Sequence, residues 1–205
     1  MRQIGLMGGS FNPIHCGHLN MGRAALECGA VEQVLFLPSG NPPHKRAGLE
    51  DKMHRLAMAR LAVAGEKDMD VCTEEIEREG VIYTVDTLTI LQKKMPDCRF
   101  RYLIGADTLC ALHTWRRPED VIRLCELLVV MRPGEDETRI LADAESWRAR
   151  GAQIDFLPAK RMDVSSTLIR ARLAQGQALE GLVPGPVETY IRTHGLYGTH
   201  GDMAR

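Results

Sequence analysis

The chain has no field of one charge sign. Its 26 basic and 27 acidic residues leave a formal net charge of −1, so bulk electrostatics recruit neither nucleic acid nor a membrane, and a small-molecule partner fits better. No apolar run approaches the length of a membrane span. Met1-Arg2-Gln3-Ile4 leads directly into an apolar segment, with no signal region ahead of it. The six cysteines, at 16, 28, 72, 98, 110 and 125, form no Cys-x-x-Cys pair. They are expected to be buried, reduced thiols, and the expected compartment is the cytoplasm. Internal repeats and low-complexity tracts are missing too, as is any obvious Ser-His-Asp or paired-carboxylate arrangement.

What is present is concentrated first in residues 5–18. An apolar run at 4–7 predicts a buried strand and the apolar spacing over 19–26 predicts a helix, so the stretch between them is a strand-to-helix turn. Gly8 and Gly9 there would let the backbone approach a ligand closely, and the helix start would offer N–H groups to an anion. His15 and His18, three apart, can share one face and aim at the same phosphate, with Gly17 keeping the space between them empty. Cys16 is read as an inert small residue, the alternative being a thiol of lowered pKa.

Further along, apolar runs at 33–37, 69–72, 99–104, 126–131 and 153–157 predict strands. Helical spacing is expected over 50–64, with Met53, Leu56, Ala57, Arg60, Leu61 and Ala64 on one face, and over 83–95, 138–150 and 187–194. Thr84 or Asp86 is expected to cap the helix at 83–95. The alternation predicts an α/β fold: a doubly wound, Rossmann-like parallel sheet with helices on both faces. A length of 205 residues suits one such domain, placed at 1–197, with a disordered tail at 198–205. The loop at 38–46, stiffened by prolines and ending in His44-Lys45-Arg46, leaves the carboxyl end of a strand, the edge where open α/β sheets bind ligands.

A second phosphate site is expected where Ser165, Ser166 and Thr167 open a helix and Arg170 follows one turn later. Two such helix starts suit a nucleoside triphosphate attacked at its α-phosphorus. A phosphate monoester nucleophile is mostly dianionic at neutral pH, because its second pKa is about 6. No general base is then required, and the histidines would act by electrostatic stabilisation.

Gly-Ser-Phe-Asn-Pro-Ile-His-Cys-Gly-His, at 9–18, resembles the His-x-Gly-His signature of the nucleotidyltransferase superfamily. Alone it leaves adenylyl and cytidylyl transfer both open. Class I aminoacyl-tRNA synthetases carry a related motif, but this chain is short and lacks their lysine-rich second signature. Val-Ser-Ser-Thr-Leu-Ile-Arg, at 164–170, is similar to the superfamily's Ile-Ser-Ser-Thr-x-Ile-Arg, with Val164 the one departure. Pro-Pro-His-Lys at 42–45, Tyr-Thr-Val-Asp-Thr-Leu at 83–88, Gly-Ala-Asp-Thr at 105–108 with Trp115, and Tyr-Ile-x-x-His-Gly-Leu-Tyr at 190–197 complete a pattern covering nearly the whole chain. Together they resemble the bacterial nicotinate-mononucleotide adenylyltransferases.

That resemblance implies joining of ATP and nicotinate mononucleotide into deamido-NAD and pyrophosphate, with Mg²⁺ accompanying ATP. It puts Gly8, Gly9, Ser10, Phe11, His15 and His18 on ATP and the reacting phosphates, with Lys45 as a further phosphate ligand. Ser165, Ser166, Thr167 and Arg170 would hold the triphosphate. Gly105 and Asp107 would serve the ATP side, Asp107 reaching a ribose. Tyr83, Thr84, Trp115 and Arg116 would form the nicotinate pocket. No residue is assigned as a protein ligand to a metal. The related pantetheine-phosphate adenylyltransferases are shorter and lack the segments at 42–45 and 83–87. A metal-binding sensor built on His15, Cys16 and His18 would need further ligands that the spacing does not supply.

Overall fold

The computed structural model describes residues 1–41, 48–131, 136–157 and 162–199. Strands and helices alternate along them. In chain order they are β1 (Arg2–Gly9), α1 (Cys16–Glu27), β2 (Gln33–Pro38), α2 (Lys52–Val63), β3 (Met69–Val71), α3 (Thr84–Lys94), β4 (Cys98–Gly105), α4 (Ala106–Cys110), α5 (Pro118–Leu124), β5 (Glu126–Val130), α6 (Glu137–Ala149), β6 (Ile154–Phe156), α7 (Ser166–Ala174) and α8 (Gly185–Thr193), with 3₁₀ turns at Leu112–Thr114 and Leu196–Gly198.

The middle of β1, Ile4 to Met7, is buried throughout, as a strand covered on both faces must be. All pairings are parallel and the sheet order is β3-β2-β1-β4-β5-β6. This is the doubly wound order, in which the direction of winding reverses between β1 and β4. Ala25 of α1, Met58 and Ala59 of α2, Ile169 of α7 and Val187 of α8 pack with Val34 and Phe36 on one face. Leu88 of α3, Leu109 of α4, Val121 of α5 and Trp147 of α6 pack with Leu6, Phe100 and Ile104 on the other. Burying each large apolar side chain stabilises the fold by about 1.5–3 kcal/mol, which is what fixes the helices on their faces.

Several expectations need correction. Two helices, α4 and α5, were not anticipated, although α5 carries Pro118 in its first turn with Glu119 and Asp120 beside it, the ordinary chemistry of a helix start. In α2 the buried residues are Arg55, Leu56, Met58, Ala59, Ala62 and Val63, so of the expected stripe only Leu56 is buried, and Met53 is exposed. The helix turns so that Arg55 points inward, for reasons given below. Tyr83, not Thr84 or Asp86, occupies the cap position of α3, and no side chain caps it. Of the six free cysteines only Cys98 and Cys125 are buried, and Cys28 is exposed. Gly198 closes a 3₁₀ turn and the Thr199 hydroxyl donates to the Leu196 carbonyl at 2.9 Å, so these two residues of the expected tail are tied to the turn. Among the described residues no helix is long and apolar enough to cross a membrane.

Candidate active site

Where the winding reverses, the carboxyl ends of β1 and β4 open on a cavity of about 680 Å³, a volume suited to a small-molecule ligand. Gly8, Gly9 and Ser10 line it from the end of β1, and His18 and Met21 from α1. Gly105, Asp107 and Thr108 line it from the end of β4 and the start of α4. Tyr83, Thr84, Trp115 and Arg116 line a further part of the wall. Ten of the residues expected from sequence thus meet in one space.

The histidine turn is more closely engineered than its spacing suggests. The His15 backbone N–H donates to Nδ1 of His18 at 3.2 Å. The two imidazoles stack, with centroids 3.6 Å apart and planes 25° apart. Since Nδ1 of His18 accepts, the proton of the neutral ring sits on Nε2, giving a donor for an anionic oxygen. His18 faces the cavity; His15 is only 6% exposed and lies outside its lining. Phe11, expected on ATP, is 1% exposed and meets the His18 ring edge-on at 5.0 Å, so its side chain supports the histidine from within the core.

The glycines serve the protein's own packing as much as a ligand. A Cβ on Gly8 would run into the Tyr102 hydroxyl, a group within hydrogen-bonding contact of the Gly8 backbone and the Thr84 side chain. A Cβ on Gly17 would lie 2.8 Å from Val164 Cγ1, so the space expected to be empty is where the lead-in to α7 packs on the histidine turn. The first N–H of α1, at Cys16, is already donated to the Leu182 carbonyl at 2.9 Å and is not open to an anion. Burial pushes the Cys16 thiol above its ordinary value, against the reading of a reactive thiolate.

On the opposite wall, Trp115 meets the Tyr102 ring edge-on at 5.9 Å and the Arg116 guanidinium lies 4.8 Å from the Tyr83 ring centre. This gives a half-open aromatic slot with a cation at its rim.

The second signature does not line the cavity but is tied to the first. The Ser165 side chain accepts from the Leu168 N–H at 3.1 Å as an ordinary helix cap. Ser166 Oγ donates to the Pro13 carbonyl at 2.9 Å, and Arg170 donates to the Asn12 carbonyl at 2.7 Å and to Thr167 Oγ1 at 3.2 Å. Lys45, His44 and the two prolines of the Pro-Pro-His-Lys segment lie outside the described residues.

Three buried polar residues went unnoticed in the sequence. Arg55, 1% exposed, donates to the carbonyls of Glu50 at 3.0 Å, Ser10 at 2.7 Å and Gly40 at 3.1 Å, clamping the ends of β1 and β2 onto α2. Burial lowers its pKa, yet a guanidinium stays charged and needs such acceptors. Glu75, 8% exposed, lines the cavity and accepts from Thr87 Oγ1 at 2.9 Å. Burial pushes its carboxyl up to about 7, against the Thr87 hydrogen bond and the charges of Arg78 and Arg55. Tyr102 is buried at the cavity wall, and burial raises its hydroxyl pKa. Only the alternation of β4 hinted at Tyr102; a glutamate or arginine inside a charged stretch gives no local sign of turning inward.

Comparison with known proteins adds the lineage. The cytidylyltransferase-like family model matches residues 6–172. The chain is 38% identical to a probable nicotinate-nucleotide adenylyltransferase of Halalkalibacterium halodurans, over 98% of this chain and 93% of that one. It is also 38% identical to one of Neisseria meningitidis serogroup B, over 96% and 99%. In fold it resembles Plasmodium falciparum nicotinic acid mononucleotide adenylyltransferase complexed with NaAD, with a TM-score of 0.78 at 17% identity, covering 96% of this chain and 98% of that one.

Proposed function

The chain belongs to the cytidylyltransferase-like family and to the nicotinate-nucleotide adenylyltransferases, and from that premise we propose that it joins ATP and nicotinate mononucleotide into deamido-NAD and pyrophosphate. The observation that carries the reading to this molecule is a single cavity at the winding reversal, shared by the His18 imidazole and the Tyr83–Trp115 slot. ATP would lie along the glycine end of β1 and α4, with Asp107 toward its ribose, and the mononucleotide ring would enter the slot.

A dianionic phosphate oxygen of the mononucleotide forms the new bond to the α-phosphorus, and the α–β bridging bond breaks, its electron pair leaving on pyrophosphate. His18, donating through Nε2, stabilises charge on the equatorial oxygens; its tautomer and aim are set by His15 and Phe11. Arg170, one turn into α7, grips the departing phosphates while its Nη1 stays on the Asn12 carbonyl. Lys45 would add a further cation.

No group of three or more His, Cys, Asp or Glu gathers among the described residues to hold a metal. Mg²⁺ would arrive bound to ATP as substrate, held largely by phosphate oxygens and water. Six free thiols support a cytoplasmic setting. The test is pyrophosphate release from ATP, Mg²⁺ and a panel comprising nicotinate mononucleotide, nicotinamide mononucleotide and phosphopantetheine. Release with nicotinate mononucleotide supports the reading; release with phosphopantetheine alone overturns it.

A further inference from the structure

We infer that Tyr197, on the 3₁₀ turn after α8, is a positioning residue for the transfer, holding the histidine turn in register with Arg170 through Asn12. The inference rests on the adenylyl transfer proposed above. Its basis is a knot of hydrogen bonds at Asn12, a side chain only 4% exposed inside the first signature. The Tyr197 hydroxyl donates to Asn12 Oδ1 at 2.9 Å, and the Glu50 N–H donates to the same oxygen at 3.1 Å. Asn12 Nδ2 donates to the Gly48 carbonyl at 2.7 Å, while the Asn12 carbonyl receives Arg170 at 2.7 Å. The Tyr197 N–H closes the circuit by donating to Glu50 Oε1 at 3.2 Å. Four stretches far apart in sequence meet here: the first signature, residues 48–50, α7 and the C-terminal turn.

Backbone conformation supports the assignment. Tyr197 has φ 58° and ψ 30°, in the left-handed region that a bulky residue adopts only when its surroundings hold it there. Phe11, beside Asn12, is also left-handed, with φ 44°. Two aromatic residues in this conformation therefore converge on one asparagine. Tyr197 packs partly buried against the α1–α8 core, and burial raises the pKa of its hydroxyl further above neutrality. If the turn only closed that core, a phenyl ring would serve. The hydroxyl instead reaches the residue whose carbonyl anchors Arg170 and which sits three positions before His15. Asn12 and Tyr197 are not in the cavity lining, so they act on the histidine turn and on Arg170 without contacting substrate.

Tyr197→Phe in the full chain removes the hydroxyl and keeps the ring. The expected result is a kcat about tenfold lower, because small displacements of reacting groups are costly, with both KM values within about twofold and a melting temperature within about 3 °C. In an Arg170→Ala background the same change should cost only about threefold, since the relay then aims His18 alone. Unchanged kcat, an equal tenfold loss in both backgrounds, or a loss accompanied by a fall of about 10 °C or more in melting temperature would each overturn the inference. A wild-type chain that releases no pyrophosphate from ATP and nicotinate mononucleotide would instead overturn the adenylyl transfer itself.

Discussion

The imidazole of His18 rests face to face on that of His15, centroids 3.6 Å apart, while the His15 N–H holds its Nδ1. The pair divides one task unequally: His18 meets the cavity and His15, buried behind it, fixes its tautomer and tilt. His18→Ala should therefore lower kcat by about 10² to 10³, the usual loss for one preorganised donor to transition-state charge, with a smaller change in KM. His15→Ala should lower kcat less and also lower the melting temperature, because it opens space in a buried stack. Steady-state kinetics with thermal melts separate the two, and near-wild-type turnover in both variants would remove the histidines from the mechanism.

Gly8 and Tyr102 form a lock between β1 and β4, neighbouring strands of the sheet. Gly8→Ala places a methyl group against the Tyr102 hydroxyl and should destabilise the fold by about 1–3 kcal/mol. Tyr102→Phe in the same chain should recover part of that loss, because the oxygen is the nearest atom in the way. Denaturant midpoints of the two single variants and the double variant measure the coupling; strictly additive losses would mean that the two residues do not meet.

The contrast between His18 and Arg55 shows what a sequence exposes. The turn and the parallel sheet were legible because each depends on residues near one another in the chain: glycines beside a strand and apolar runs of strand length. The Tyr83–Trp115 wall was expected only from the family resemblance, since its residues lie far apart in the sequence. Arg55 depends on carbonyls at Ser10 and Gly40, contacts made only after the sheet has formed. The stripe expected for α2 left Arg55 out, and of that stripe only Leu56 is buried. Tyr102 and Glu75 were missed for the same reason, since a buried polar group is identified by its partners, and these come from other strands and helices. The serines of the second signature were recognised as a helix start, but Ser165 serves the helix itself and Ser166 reaches Pro13.

Glu75 should make stability depend on pH. Below its ordinary value of 4.5 the carboxyl is protonated in folded and unfolded chains alike. Between 4.5 and about 7 the unfolded chain loses the proton while the folded chain keeps it. Stability then falls as pH rises, by about 1.4 kcal/mol per unit and about 3 kcal/mol in all, and levels off above that window. Glu75→Gln cannot ionise and still accepts from Thr87, so its melting temperature should match wild type near pH 4.5 and exceed it by several degrees at pH 8. A difference that stays constant between those pH values would show that the carboxyl does not titrate in this window.

The remaining expectation concerns the ring that enters the slot. Arg116 lies over Tyr83 at the cavity wall, 4.8 Å from the ring centre, and α3 begins at the next residue, Thr84. Backbone N–H groups at that helix start suit an acceptor-only carboxylate at both oxygens, whereas a carboxamide turns an NH₂ donor toward one of them and leaves it unpaired. An unsatisfied buried donor costs about 1–3 kcal/mol, so nicotinate mononucleotide should exceed its nicotinamide analogue by at least about tenfold in kcat/KM. Arg116 adds an attraction for the anionic ring, but its exposed position limits the effect through screening. Arg116→Ala should therefore narrow the acid-to-amide ratio by only about threefold, and raised salt should narrow it in wild type and leave it unchanged in the variant. Side-by-side kcat/KM values for the two mononucleotides, at matched ATP and two salt concentrations, decide between the sources. A ratio near one in wild type would place the ring elsewhere, and a ratio abolished by Arg116→Ala would make the cation, rather than the α3 backbone, the determinant of selectivity.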